Sequence, residues 1–137
     1  MKRLPQSDKA LVLRTSFSSP AAWAAIRSAI EAPVAGFVAN VTCVDDPAYA
    51  DLTKQDVLSL VRSRSNDAFV VVADEVAMSA VDHPLLIIDL GSQPGNEFRA
   101  IPSTIQSIEN KLSISNMDFE ELAESVDRDG VFRGFQY

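Results

Sequence analysis

The residues best suited to chemistry in this 137-residue chain sit directly after short apolar runs. Arg14-Thr15 follows Leu11-Val12-Leu13, Asp45-Asp46 follows Val41-Thr42-Cys43-Val44, and Asp74-Glu75 follows Phe69-Val70-Val71-Val72-Ala73. Asp89 closes a fourth run, Leu85-Leu86-Ile87-Ile88. Ligands of open α/β sheets gather beyond the carboxyl ends of the strands. If the first three runs are parallel strands, Arg14, Asp45, Asp46 and Asp74 share one sheet edge. Carboxylates there could hold Mg²⁺ or Ca²⁺, which take oxygen ligands. Arg14 or Arg99 could instead fix an anionic group. The structural alternative is that strands end in wet loops and that an Arg14–Asp ion pair accounts for several of these residues. The spacing matches no defined metal motif, so the identity of any metal stays open and no cofactor is expected.

Other constellations are excluded by count. His83, the single histidine, lies in Asp82-His83-Pro84 with no nucleophile placed beside it, and no Gly-x-Ser-x-Gly elbow exists. One His and one Cys rule out a conventional zinc site. Cys43 lies in an apolar run followed by two acids, the setting of a buried thiol and not of a reactive one. The five glycines form neither a dinucleotide fingerprint nor a Walker sequence. Receiver domains also collect acids at strand ends. Their acidic pair follows the first strand and a Lys follows the fifth, whereas here the pair follows the second and no such Lys exists. Phosphoacceptor chemistry is therefore not expected. Near the end of the chain, Phe132, Arg133, Phe135 and Tyr137 are of the types favoured at protein contacts. The competing expectation is that the phenylalanines fold back on the core.

These residues must be held by one domain. Apolar residues make up 47% and charged residues 23%, the balance of a globular chain. Net charge is −7, which repels phosphate backbones and argues against nucleic acid. The apolar runs are far shorter than the ~20 residues that span a bilayer, and no signal-peptide pattern follows Lys2-Arg3. A soluble, cytoplasmic protein without membrane contact is expected, a monomer or a homodimer.

Residues 1–9 read as a flexible lead-in and residues 10–137 as a single α/β domain. Strands are predicted at 10–14, 37–44, 68–73, 85–90 and 97–101. Ser19-Pro20 opens a helix whose Trp23, Ile26 and Ile30 form one apolar stripe. Thr53 with Asp56 caps a second helix, and 75–81 suits a short one. Ser103 is expected to cap a helix carrying Ile105, Ile108 and Leu112, and Ser115-Asn116 to open a last helix carrying Phe119, Leu122 and Val126. Glu109, Asn110, Asn116 and Asp118 surround that junction, either as caps of the helix ends or as a polar binding edge. Unbroken apolar runs suit strands covered on both faces. The expected fold is a three-layer sandwich with a mixed, mostly parallel sheet of about five strands and a C-terminal helix pair.

One resemblance covers nearly the whole chain. Leu11-Val12-Leu13-Arg14-Thr15 with Phe17 and Trp23, Asp45-Asp46-Pro47-Ala48-Tyr49, His83-Pro84-Leu85-Leu86 with Asp89, and Phe98-Arg99 carry its first part. Ser107-Ile108-Glu109-Asn110, Leu112 to Phe119 and Asp129 to Phe135 complete it. Over residues 10–135 the chain resembles a family of small bacterial proteins of unknown function. The resemblance implies a free-standing bacterial, cytoplasmic domain and no particular activity. The leading expectation is a binding or protein-interaction module, of accessory or immunity type, working without catalysis through a protein partner. The alternatives are a divalent-cation-dependent enzyme or sensor at the acidic strand ends, and a small-anion binder.

Overall fold

The structure, a computed structural model, describes residues 2–61, 68–91, 93–114 and 117–135. The strands are β1 (Ala10–Arg14), β2 (Val41–Val44), β3 (Phe69–Ala73), β4 (Leu85–Asp89), β5 (Glu97–Ala100) and β6 (Val131–Phe132). The helices are α1 (Pro20–Glu31), α2 (Lys54–Val61), α3 (Glu75–Ser79), α4 (Ile105–Ser113) and α5 (Phe119–Glu124). Single 3-10 turns cover Pro47–Tyr49 and Pro102–Thr104. The strands form one sheet in the order β2-β1-β3-β4-β5-β6.

Strand alternation sorts the core onto two faces. Val12, Val71, Ala73, Leu85 and Ile87 point to one side, where Trp23, Ile26 and Ile30 of α1 and the apolar residues of α3, α4 and α5 cover them. Leu11, Leu13, Val70, Val72, Leu86 and Ile88 point to the other, under Val57 and Val61 of α2, Tyr49 and Leu4. Helices on both faces make three layers, and each fully buried Ile or Leu contributes about 1.5–3 kcal/mol.

The predicted caps that hold are local. Ser19 Oγ accepts from Ala22 N at 3.1 Å, with Pro20 as the first helical residue. Thr53 and Asp56 bond reciprocally, Asp56 N to Thr53 Oγ1 at 3.1 Å and Thr53 N to Asp56 Oδ2 at 3.0 Å. Two caps differ from expectation. Pro102 starts a 3-10 turn that feeds α4, so Ser103 does not cap it. Asp118 opens α5 with a capping box closed by Glu121. The predicted opener Ser115-Asn116, like Ser92 and Tyr137, lies outside the described residues.

The sheet is α/β and mixed, with six strands. Strands β1 and β2, β1 and β3, and β5 and β6 are parallel, whereas β3 and β4, and β4 and β5, are antiparallel. The sixth strand comes from Val131–Phe132, where only packing was expected. The reversal at β4 has a simple cause. Asp74 to Pro84 joins β3 to β4 and holds only a five-residue helix, whereas a parallel crossover needs a dozen residues or more. The second strand begins at Val41 and not at Phe37, because Val34–Phe37 closes a tight turn. Strand β5 is internal, and β2 and β6 are the edges of the sheet.

Residues 2–9, expected as a lead-in, carry contacts along β2 and its exit. Lys2 pairs with Asp46, Arg3 O accepts the Tyr49 hydroxyl, and Ser7 Oγ meets Thr42 Oγ1 at 2.9 Å.

Candidate functional site

The chain leaves β1 for β2 on one side and returns to β3 on the other. This reversal places a crevice at the carboxyl ends of β1 and β3. Across it, Thr15 N and Ser16 N both donate to Ala73 O, at 3.0 and 3.3 Å. Arg14, Asp45, Asp46 and Asp74 lie at this edge, each tied into the fold.

Arg14 keeps 8% of its side chain exposed. Its Nε donates to Ser16 O at 3.0 Å and its Nη1 to Asp45 Oδ1 at 3.1 Å. The guanidinium lies 4.2 Å from the Phe17 ring centre and 5.5 Å from that of Trp23, a stacking that stabilises a desolvated cation. Asp46 Oδ1 accepts from Ala48 N at 2.9 Å and its other oxygen pairs with Lys2. The Lys2 hydrogen bond holds the Asp46 carboxyl below its usual range. Asp74 caps α3 by accepting from Ala77 N at 3.2 Å, and both its oxygens accept from Arg99.

Glu75 gathers hydroxyls. Its Oε2 accepts from Ser16 at 2.6 Å and Ser18 at 2.7 Å, and its Oε1 from Ser79 at 2.9 Å. The hydroxyl of Ser16, then those of Ser18 and Ser79, hold the Glu75 carboxyl below its ordinary value. In the sequence Glu75 stands out only as the neighbour of Asp74. The Ser16-x-Ser18 spacing after Arg14 was its one available signal.

Asp89 does not join this group. Because β4 runs antiparallel to β3, Asp89 pairs with Phe69 at the opposite edge. There, 3% exposed, it accepts from Gly91 N at 2.8 Å and Gln93 N at 3.1 Å, which makes it a turn-holding residue. The same reversal brings His83 to the Asp74 edge, where its Nδ1 lies 2.9 Å from Ala77 O. Among the described residues, no three His, Cys, Asp or Glu side chains are grouped so as to hold a metal ion.

The C-terminal residues fill structural places. Phe132 is 0% exposed and packs edge-on against Phe98 and Phe135, so it is a core residue and not the contact residue its type suggested. Phe135 is half-buried against the same cluster. Arg133 spends its donors on three carboxylates: Nη1 on Asp127 at 2.9 Å, Nη2 on Asp82 and Asp129, each at 2.7 Å. It clamps the turn before β6 to the turn before β4. Of the predicted polar edge, Asp118 caps α5 and Glu109 lines a second depression with Asp8, Lys9 and Asn40; Asn116 lies outside the described residues.

A family model described as a domain of unknown function, DUF6924, matches residues 9–135. The chain belongs to that family. The DUF6924 match takes in all six strands and the whole carboxyl-end crevice. No curated protein and no solved structure matches the chain.

Two further features of this DUF6924 chain are open to solvent among the described residues. A depression of about 340 Å³ at the crevice is lined by Thr15, Ser16, Asp51, Leu52, Asp74, Glu75 and Val76. Its three carboxylates make it a poor host for an anion. The second feature escaped sequence reasoning, which placed Phe37 and Val38 in a strand. Val34 and Phe37 exchange backbone bonds of 2.7 and 2.9 Å across Ala35 and Gly36, whose φ values are +51° and +85°. Positive φ at both central positions is the hairpin geometry that suits twisted strands. The turn presents Phe37, 66% exposed, and Val38, 55% exposed, just ahead of β2, the strand that ends the sheet. The signal available was Pro33 followed by Gly36, which breaks the run before Phe37. No described helix is long and apolar enough to cross a membrane.

Proposed function

We propose that this chain is a protein-binding module of a bacterial cytoplasm, working without catalysis, whose contact surface is the hairpin 34–38 and the neighbouring edge of β2. One observation carries it. Val34, Phe37 and Val38 are exposed together on a turn whose Ala35 sits in the left-handed region. A non-glycine residue there costs about 1–2 kcal/mol, and such local strain is characteristic of functional segments. The occupied state of the carboxyl-end groups supports the same view. Arg14, Asp46, Asp74 and Glu75 are committed to ion pairs, caps and hydroxyls, an arrangement suited to holding loops and not to moving protons.

The test is affinity capture with the tagged chain from lysate of its source cells, alongside Phe37→Asp/Val38→Asp. A stoichiometric partner, untagged copies of the chain included, should be recovered by the wild type and lost by the variant. Recovery of nothing above background, or equal recovery by the variant, would contradict the proposal.

A second possibility rests on the crevice depression, which lies where small ligands of wound α/β sheets bind. Its Asp51, Asp74 and Glu75 favour a cationic ligand over the anion that Arg14 and Arg99 suggested, because each arginine already faces an aspartate. Thermal shift with a small amine decides: a stabilisation removed by Asp51→Asn supports this second reading, and an unchanged melting temperature removes it.

A further inference from the structure

Resting on the cationic reading of the crevice above, we infer that the depression at the carboxyl ends of β1 and β3 binds a small primary ammonium carrying a short alkyl chain. The Thr15 hydroxyl is the first ground. Thr15 is 3% exposed and lines the depression. Among the described residues its Oγ1 meets no hydrogen-bond partner, although no fully buried side-chain polar atom there lacks one. The small surface Thr15 keeps therefore includes Oγ1, and the depression is the space it opens to. Polar groups held this deep are ordinarily paired, and a ligand donor in the depression completes this one.

Charge is the second ground. Asp74 gives both oxygens to Arg99 and is neutralised by it. Glu75 meets hydroxyls and no cation, and the Asp51 side chain makes no hydrogen bond or ion pair among the described residues. Both carboxylates line the depression with their charge uncompensated. A carboxylate offers about four lone-pair sites, and the hydroxyls of Ser16, Ser18 and Ser79 leave Glu75 room for another donor. Thr15, Asp51 and Glu75 are thus separate acceptors on the exit of β1, the loop before α2 and the start of α3. An ammonium brings three rotatable donors and no acceptor, which suits separate acceptors. A planar guanidinium prefers a carboxylate met through both oxygens, and Arg99 already fills that place on Asp74. The three acceptors are held before any ligand arrives. Asp51 N donates to Thr15 O at 2.7 Å, and Ser16 and Ser18 fix Glu75, which lowers the ordering cost of binding. Leu52 and Val76 supply the apolar lining, and Val76, 51% exposed, is the surface a short alkyl chain covers.

Amide chemical-shift titrations of the full chain by NMR test this, with n-butylammonium, methylammonium and tetramethylammonium chlorides as probes at matched ionic strength. n-Butylammonium should move the amides of Thr15, Asp51 and Glu75 saturably. Tetramethylammonium carries the charge without an N–H and should bind about tenfold more weakly. Thr15→Val keeps the shape of the side chain, removes the hydroxyl and should weaken n-butylammonium about tenfold. Asp51→Asn, at an exposed residue, should weaken it as well with circular dichroism unchanged. Equal binding of n-butylammonium and tetramethylammonium, or binding untouched by Thr15→Val, would overturn the primary-ammonium assignment while the cationic reading of the crevice stands. Methylammonium bound as tightly as n-butylammonium would overturn the alkyl chain. The absence of a saturable shift at these amides with all three probes would overturn the inference and the crevice reading together.

Discussion

Arg99 on β5 closes a fork on Asp74 at the end of β3, Nη1 donating to Oδ1 at 2.9 Å and Nη2 to Oδ2 at 2.8 Å. The two strands are separated by β4, and Arg99 also donates to Pro84 O at 2.8 Å, so one side chain ties three consecutive strands at the same edge.

Asp74 therefore has two separable roles. Asp74→Ala should cost about 2 kcal/mol, roughly half from the lost α3 cap and half from the part-exposed ion pair. Asp74→Asn keeps an accepting oxygen at the cap and should cost about 1 kcal/mol or less. Urea unfolding of both variants, with Arg99→Met to complete a double-mutant cycle, measures the split.

Acid should unfold the chain through Glu75 and its fellow depressed carboxylates. Hydroxyls of Ser16, Ser18 and Ser79 lower the Glu75 value below 4.5, and Lys2 and Arg133 lower Asp46 and Asp129 below 3.8. A depressed carboxylate stabilises the fold above its unfolded value, and that contribution is lost as pH falls through the folded value. Melting temperature should fall as pH drops below 4.5, and the gap between wild type and Glu75→Gln should close over the same range. A gap that widens toward acid would contradict the hydroxyl cluster.

Ala35 should be suboptimal for stability. At φ +51° its Cβ is strained, and glycine relieves the strain at the cost of a more disordered unfolded chain. Ala35→Gly should raise stability by about 0.5–1 kcal/mol, read as the midpoint of urea unfolding. A loss would show that the hairpin does not hold the left-handed conformation.

Local signals in the sequence read well, and relations between distant segments did not. β1 is found over Ala10–Arg14 as predicted, and the unbroken runs Phe69–Ala73 and Leu85–Ile88 are buried on both faces. The stripe of Trp23, Ile26 and Ile30 and the Thr53–Asp56 cap each depend on neighbours a turn or two apart. The direction of β4 depends on whether a connection is long enough to cross the sheet, and it decides where Asp89 and His83 fall. The partners of Arg14 and Arg99 lie far along the chain and follow from strand order alone. Phe37 looked like the start of a strand by its type, yet Ala35-Gly36 turns the backbone first.

The contact surface at Val34 to Val38 is tested most directly by amide hydrogen exchange of the peptide covering residues 34–44, read by mass spectrometry with and without the partner recovered by affinity capture. Protection should rise in that peptide when the partner is added, while the peptides carrying Asp74 and Arg99 exchange at constant rates. Exchange at residues 34–44 that is the same with and without the partner would contradict a contact surface at the hairpin.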